Sequence, residues 1–244
     1  MQTNYPVEIR FPVLGARLKI DHGYQLYAAI KKHICDNYPE LLVNGNIPID
    51  TTIATIKGTN LFNGYLQIKS FSRLRIRCDI KYAYQLINAL DNQLLGLAGG
   101  SIFVESGYVQ KLNPCESLQA RLVVIKYPSE VEITYHSGLL EKKQNQFIES
   151  CYKQLNKHQI QGQVTIVKRE EKPIIASITV EKPPCKQSYL GYGVCISGLT
   201  DQDSLKLQIV GIGGKRHFGC GWFDPIRQPV KDETIKRDLA TWED

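Results

Sequence analysis

Long hydrophobic runs are missing from this sequence. No stretch approaches eighteen apolar residues in a row, so no membrane-spanning helix and no membrane partner are expected. The opening MQTNYPVEIRF carries no basic-then-apolar leader. Seven cysteines are present, an odd number, and no two have C-x-x-C spacing. Neither a disulfide framework nor a zinc site is signalled, and mostly buried, reduced thiols in a cytoplasmic chain are expected. Histidine is scarce, with only His22, His33, His136, His158 and His217. No Asp/Glu cluster has metal-ligand spacing, so no metal or other cofactor is expected, and a two-metal nuclease is not. No G-K-[ST] is present, which removes a Walker A loop. Charge of one sign is not extreme either. Thirty Lys and Arg against 24 Asp and Glu give +6, a mildly basic balance that permits nucleic acid without demanding it.

What is present suits a globular chain. Of 244 residues, 43% are hydrophobic and 22% charged, enough for one large domain or two small ones. YPVEIRFPVL (5–14) alternates Val7, Ile9 and Phe11 as a strand does. In YQLYAAIKKHICDN (24–37), Leu26, Ile30 and Ile34 recur every four residues with Tyr27 beside them, and Asp21 is placed to cap that helix. Strands are expected at 50–58, in GYLQIK, in SRLRIRC and at 101–109, with a helix at 80–93. The order is β, α, β, β, α, β, the ferredoxin-like pattern. LNPCES (112–117) reads as a linker. A second, looser βαββαβ set follows. It has a strand at 118–127, a helix at 139–158, a hairpin at 162–182, a strand at 192–199 and a helix whose box-like start pairs Thr200 with Asp203. The expected fold is α+β: two tandem ferredoxin-like domains, 1–111 and 118–244, with a glycine-rich loop before the last strand.

That loop is GIGGKRHFGCGWF (211–223), with five glycines among thirteen residues and Lys215, Arg216 and His217 at its centre. It loosely matches G-x-G-x-x-G, but a dinucleotide site needs that motif after a first strand and opening a helix. Here it follows a helix and precedes the last strand. A glycine-rich turn kept only for tight packing is one reading. The favoured one is a backbone cradle for phosphates at Gly213 and Gly214, with Lys215, Arg216 and His217 adding contacts. Alternation in SRLRIRC puts Arg73, Arg75 and Arg77 on one face of a strand, expected open and able to track a phosphate backbone. Lys168 and Arg169, with Lys172 in the adjoining turn, would grip a stem in the same way.

The glycine-rich stretch before the last strand resembles that of the CRISPR-associated repeat-processing endoribonucleases, the Cas6 family of the RAMP superfamily. DHGYQLYAAI (21–30), SRLRIRCDIKYAYQLINAL (72–90) and LNPCESLQARLVVIK (112–126) are similar to segments of the variant found in myxobacterial and cyanobacterial type I systems. The resemblance implies cleavage of CRISPR precursor RNA within its repeat. It also implies retention of the crRNA 3′ hairpin and membership, with other subunits, of a type I effector complex. RNA can be cut without metal when its own 2′-hydroxyl attacks the neighbouring phosphorus, leaving a 2′,3′-cyclic phosphate, and histidine suits the proton transfer. In the resembled family the catalytic histidine belongs to the first helix or its flanks. That implies His22 or His33 here, with Tyr24 assisting by hydrogen bonding and His217 touching RNA. The chain departs from its relatives in having no histidine in NYPELLVNGN (37–46). A catalytically inactive crRNA-hairpin binder, structural in such a complex, is the alternative.

Overall fold

The computed structural model describes residues 5–48, 51–125, 137–182 and 185–226. The first unit runs β1 (Pro6–Leu14), β2 (Arg17–Lys19), α1 (Gly23–Asn37), β3 (Thr52–Ile53), β4 (Thr59–Asn60), β5 (Tyr65–Gln67), β6 (Arg73–Asp79), α2 (Ile80–Leu90), β7 (Gln93–Leu97), β8 (Gly100–Val104) and β9 (Tyr108–Lys111). The second runs β10 (Leu118–Val123), α3 (Ser137–Lys157), β11 (Gln163–Ile166), β12 (Lys168–Arg169), β13 (Lys172–Pro173), β14 (Ile175–Lys182), β15 (Cys185–Ser197), α4 (Asp201–Val210) and β16 (Phe223–Pro225).

The main sheets repeat one topology. The first has the order β3-β6-β1-β8-β7, with β9 also paired to β1, and the second has β11-β15-β10-β16. In each, the first strand lies between the third and fourth of a βαββαβ set, the ferredoxin-like arrangement, so the tandem α+β reading holds. Several boundaries differ from the sequence reading. The 50–58 strand shrinks to Thr52–Ile53, and 101–109 splits into β8 and β9. The 162–182 hairpin is only its tip, β12 with β13. Beyond it β11 and β14 both pair with β15, because the long β15 offers each a full ladder. The Thr200 hydroxyl accepts from the Asp203 N–H at 3.1 Å, as its spacing implied. Asp21 does not cap α1; its Oδ2 accepts from the Thr179 N–H on β14 at 2.7 Å.

Each unit has its own apolar core. Val7, Ile9 and Phe11 of β1 meet Leu26, Ile30 and Ile34 of α1 and Leu74, Ile76 and Cys78 of β6. Phe147, Cys151 and Leu155, four residues apart on α3, pack with Val194 and Ile196 of β15. Each such aliphatic side chain contributes about 1.5–3 kcal/mol by leaving water. Burial pushes the thiols of Cys78, Cys151 and Cys220 up to about 12, so they stay protonated. All seven cysteines are free, but Cys35 and Cys185 are exposed rather than buried.

The opposite face of the first sheet is not open, which corrects the reading of Arg75 and Arg77 as RNA contacts. The second unit covers it. Pairing of β1 with β6 places Glu8 opposite Arg77 and Arg10 opposite Arg75. Arg77, 2% exposed, donates to Glu8 Oε2 at 3.0 Å and to the Gln208 and Phe223 carbonyls at 2.8 Å each. Arg75 makes a two-pronged bond to Asp224 at 2.8 and 2.7 Å. Lys57 adds a 2.8 Å contact to the same carboxylate. Trp222 lies under both guanidinium groups, 4.0 Å from Arg77 and 5.1 Å from Arg75, and donates its indole N–H to Asp224. Arg73 is half-buried and donates to the Ser70 and Ser72 carbonyls, stiffening its own turn.

Burial works to raise the Asp224 pKa, but the Arg75 hydrogen bonds and charge, followed by Lys57, outweigh it. They hold the carboxyl well below its ordinary 3.8. A depressed folded-state pKa gives stability that is complete above the unfolded value and lost as pH falls toward the folded one. Denaturation at stepped pH should therefore show stability falling on the acid side of pH about 4. Asp224→Asn should lower stability at neutral pH and flatten that acid limb; an unchanged limb would contradict the assignment.

Candidate nucleic-acid interface

The glycine-rich segment folds back on itself and then leans on α1. Gly221 sits at φ 63, and a Cβ there would meet the Ile212 carbonyl oxygen at 2.0 Å, so only glycine closes this turn. The Gly213 N–H donates to Gln154 Oε1 at 2.6 Å, and the Gly214 N–H donates to the Val124 carbonyl at 2.8 Å. These two amides, expected to cradle phosphate, are already used within the fold. Arg216, half-buried, donates through Nη1 to the Val210 carbonyl and so closes the C-terminal end of α4. Lys215 keeps its charge available. Its Nζ stands 4.3 Å over the Tyr189 ring and forms no ion pair among the described residues.

A 3₁₀ turn, Arg216–Phe218, then carries His217 and Phe218 onto α1. The Phe218 ring meets Tyr24 at 5.3 Å and Tyr27 at 5.1 Å, and His217 tilts over Tyr27 at 5.5 Å. The approach is close because of Gly23, where a Cβ would lie 2.1 Å from the Phe218 carbonyl oxygen. Burial lowers the His217 pKa, with the Thr51 backbone working against it and the Arg216 charge adding to it. Burial also raises the Tyr27 pKa, helped by Tyr24. Tyr27 carried no chemistry in the sequence reading, although its position three residues after Tyr24 puts both on one helix face.

The two histidines expected to be catalytic are bound up elsewhere. His22, 1% exposed, precedes α1. Its Nδ1 lies 2.8 Å from the Lys19 carbonyl, which can only accept, and its Nε2 lies 2.9 Å from the Ile56 N–H, which can only donate. The ring is therefore the neutral Nδ1–H tautomer, and burial lowers its pKa despite the Lys19 bond. No nitrogen is left for a reacting proton. His33 donates through Nε2 to the Ala89 carbonyl at 2.8 Å, tying α1 to the end of α2, and Nδ1 takes a 3.4 Å contact from Asn37. His158 ends α3 near Arg216, and His136 lies outside the described residues.

Two further surfaces remain. Lys168, Arg169 and Lys172 are exposed on the β12–β13 hairpin, whose turn residues Glu170 and Glu171 have φ 50 and 62. Between the units lies a cleft of about 600 Å³ bordered by His22, Lys57, Arg75, Arg121 and Asp224. Arg121 is exposed there, and it was not singled out from the sequence.

His22→Ala should leave the buried Ile56 N–H without its acceptor, at a cost of about 1–3 kcal/mol in urea denaturation. A His22→Ala chain as stable as the parent would remove this structural assignment.

A family model described as Cas6 Crispr matches residues 7–228. The CRISPR-associated endonuclease Cas6 of Myxococcus xanthus (strain DK1622) is 26% identical over 219 residues, covering 90% of this chain and 81% of that protein. Two solved structures show the same fold. One, a CRISPR associated protein Cas6, has a TM-score of 0.64 at 13% identity and covers 91% of this chain and 100% of its own. Another, from a Cas6-related gene of Pyrococcus furiosus, has a TM-score of 0.62 at 12% identity, with 92% and 100% covered. Because the family model takes in both sheets and the turn that joins them, the chain belongs to the Cas6 family.

Proposed function

We propose that this chain is a metal-independent endoribonuclease that cuts CRISPR precursor RNA within the repeat by 2′-hydroxyl attack. It then stays on the crRNA 3′ hairpin as a subunit of a type I surveillance complex. One observation carries the reading. The glycine-rich turn sets His217 and Phe218 against Tyr24 and Tyr27 of α1, with Lys215 at the start of the same turn, over the Tyr189 ring. A cation and proton-transfer groups thus stand at one junction, as a phosphoryl transfer without metal requires. The M. xanthus relative carries the name endonuclease and supports the same class. Retention of the product is supported by the exposed Lys168 and Arg169, which can hold the phosphates of a stem without base reading.

A second reading, the inactive hairpin binder, is favoured by a different observation: both ring nitrogens of His22 and of His33 are engaged. Incubation with the cognate repeat RNA in EDTA separates the two. The enzyme reading expects cleavage to persist, with 2′,3′-cyclic phosphate and 5′-hydroxyl ends. Intact RNA with and without divalent metal would favour the binder, and cleavage that needs metal would refute the proposed chemistry.

Lys168→Ala with Arg169→Ala should weaken hairpin binding and reduce the log–log salt slope by roughly 1.4–1.8, the value for two phosphate contacts. An unchanged slope in a salt titration would remove the hairpin from the interface.

A further inference from the structure

Charge is unevenly spread along the first unit. Residues 9–20 and 51–78 contain Arg and Lys but not one Asp or Glu. Arg75, Arg77 and Lys57 are spent on Asp224 and Glu8, and Arg10 pairs with Glu8 at 2.6 Å. Arg17 and Lys19 form no ion pair among the described residues. Both lie on β2, on either side of the buried Leu18, so both belong to the outer face of the small sheet β2-β5-β4. The register sets Gln67 beside Arg17 and Tyr65 beside Lys19, with Thr59 of β4 next in the row. The Arg17 guanidinium lies 4.9 Å over the Tyr65 ring. Glu181 of β14 is the acid whose charge reaches Lys19, and it is already paired with Lys186 at 3.0 Å.

Phe62 stands at the tip of this sheet, in the turn between β4 and β5, and is 96% exposed. Backbone bonds hold the tip in place. The Leu61 N–H donates to the Tyr65 carbonyl at 2.8 Å, and the Ile20 N–H donates to the Gly64 carbonyl at 2.9 Å. Asn63 and Gly64 close the turn at φ 72 and 75. A large ring held out in water forfeits the gain of burial. Beside unpaired cations it has the make-up of a single-strand platform, where bases stack on the ring and phosphates meet the positive charge. A protein partner would call for a broad apolar patch, and Arg17, Lys19, Gln67 and Thr59 do not supply one.

We propose that this face binds the single-stranded RNA adjoining the repeat hairpin, with a base stacked on Phe62 and the phosphates drawn to Arg17 and Lys19. This rests on the reading that the chain holds a CRISPR repeat. The placement fits. β2 ends at Lys19, and α1, which carries Tyr24 and Tyr27, begins at Gly23. Ile20, Asn60 and Leu66 also border the cleft between the units. RNA leaving the junction of α1 with the glycine-rich turn therefore has the small sheet beside it. Stacking and charge do not select a base, so the face takes the flank whatever its sequence.

The test is binding of two RNAs by the full chain: the cognate repeat hairpin with its single-stranded flanks, and the same hairpin stripped of them. The flanked RNA carries a 2′-deoxy nucleotide at the attacking position, so it stays whole. The parent should hold the flanked RNA at least about fivefold more tightly, the effect of one stacked base. Phe62→Ala should lose that advantage while binding the stripped hairpin within about twofold of the parent, and Phe62→Trp should keep it. Arg17→Ala with Lys19→Ala should reduce the log–log salt slope on the flanked RNA by roughly 1.4, the single-strand value for two phosphates. Equal parent affinity for the two RNAs would overturn the proposal. Equal losses on both RNAs in Phe62→Ala would also overturn it, by placing Phe62 on the stem. Unchanged RNA binding by Phe62→Ala, together with its loss from an assembled effector complex, would give the face to a protein subunit and overturn it too. If the parent binds the stripped hairpin and gains nothing from the flanks, the repeat-processing reading stands and this face alone is lost. If the parent binds neither RNA, that reading falls first and this proposal with it.

Discussion

Arg77 leaves the sheet of the first unit and ends inside the second. Its guanidinium lies on Trp222, pairs with Glu8 and Asp224, and donates to the carbonyls of Gln208 and Phe223. Arg75 and Lys57 complete the set around Asp224. Ion pairs taken out of water repay little net stability, because desolvation offsets most of the attraction. They are demanding about geometry, however, since a displaced partner leaves a buried charge alone. The two sheets therefore dock in one register, and the register brings the glycine-rich turn to α1.

That docking decides which cations remain for RNA. The arginine stripe on β6 is consumed by carboxylates and carbonyls, and the Nη1 of Arg216 goes to the end of α4. Lys215 in the turn, Lys168 and Arg169 on the hairpin and Arg121 in the cleft stay available. They lie on the second unit, while α1 of the first supplies Tyr24 and Tyr27 at the junction. The proposed chemistry thus depends on a contact between units that each have a separate core. A net charge of +6 is spread widely, and the placement of these few side chains, rather than the total, is what would guide an RNA.

Much of the fold was legible because it rests on local periodicity. Val7, Ile9 and Phe11 declared a strand face, Leu26, Ile30 and Ile34 a helix face, and Thr200 with Asp203 a cap; each is found so. Alternation also showed that Arg73, Arg75 and Arg77 share a face, but alternation cannot say what covers a face. A partial signal did exist: Glu8 lies on the neighbouring strand, and across the ladder it stands opposite Arg77, while Arg10 stands opposite Arg75. The roles of His22, Gly213 and Gly214 left no such trace. Their partners are a backbone amide, a carbonyl and a glutamine far along the chain, which neither composition nor spacing records.

The most direct measurement is a structure of the chain bound to repeat RNA carrying a single 2′-deoxy nucleotide at the attacking position. The account predicts that the scissile phosphate lies at the junction of α1 and the glycine-rich turn. Lys215 should face the phosphate oxygens, with Tyr24 and Tyr27 of α1 beside them. A scissile phosphate seated elsewhere, in the cleft beside Arg121 or on the hairpin with Lys168, would contradict it.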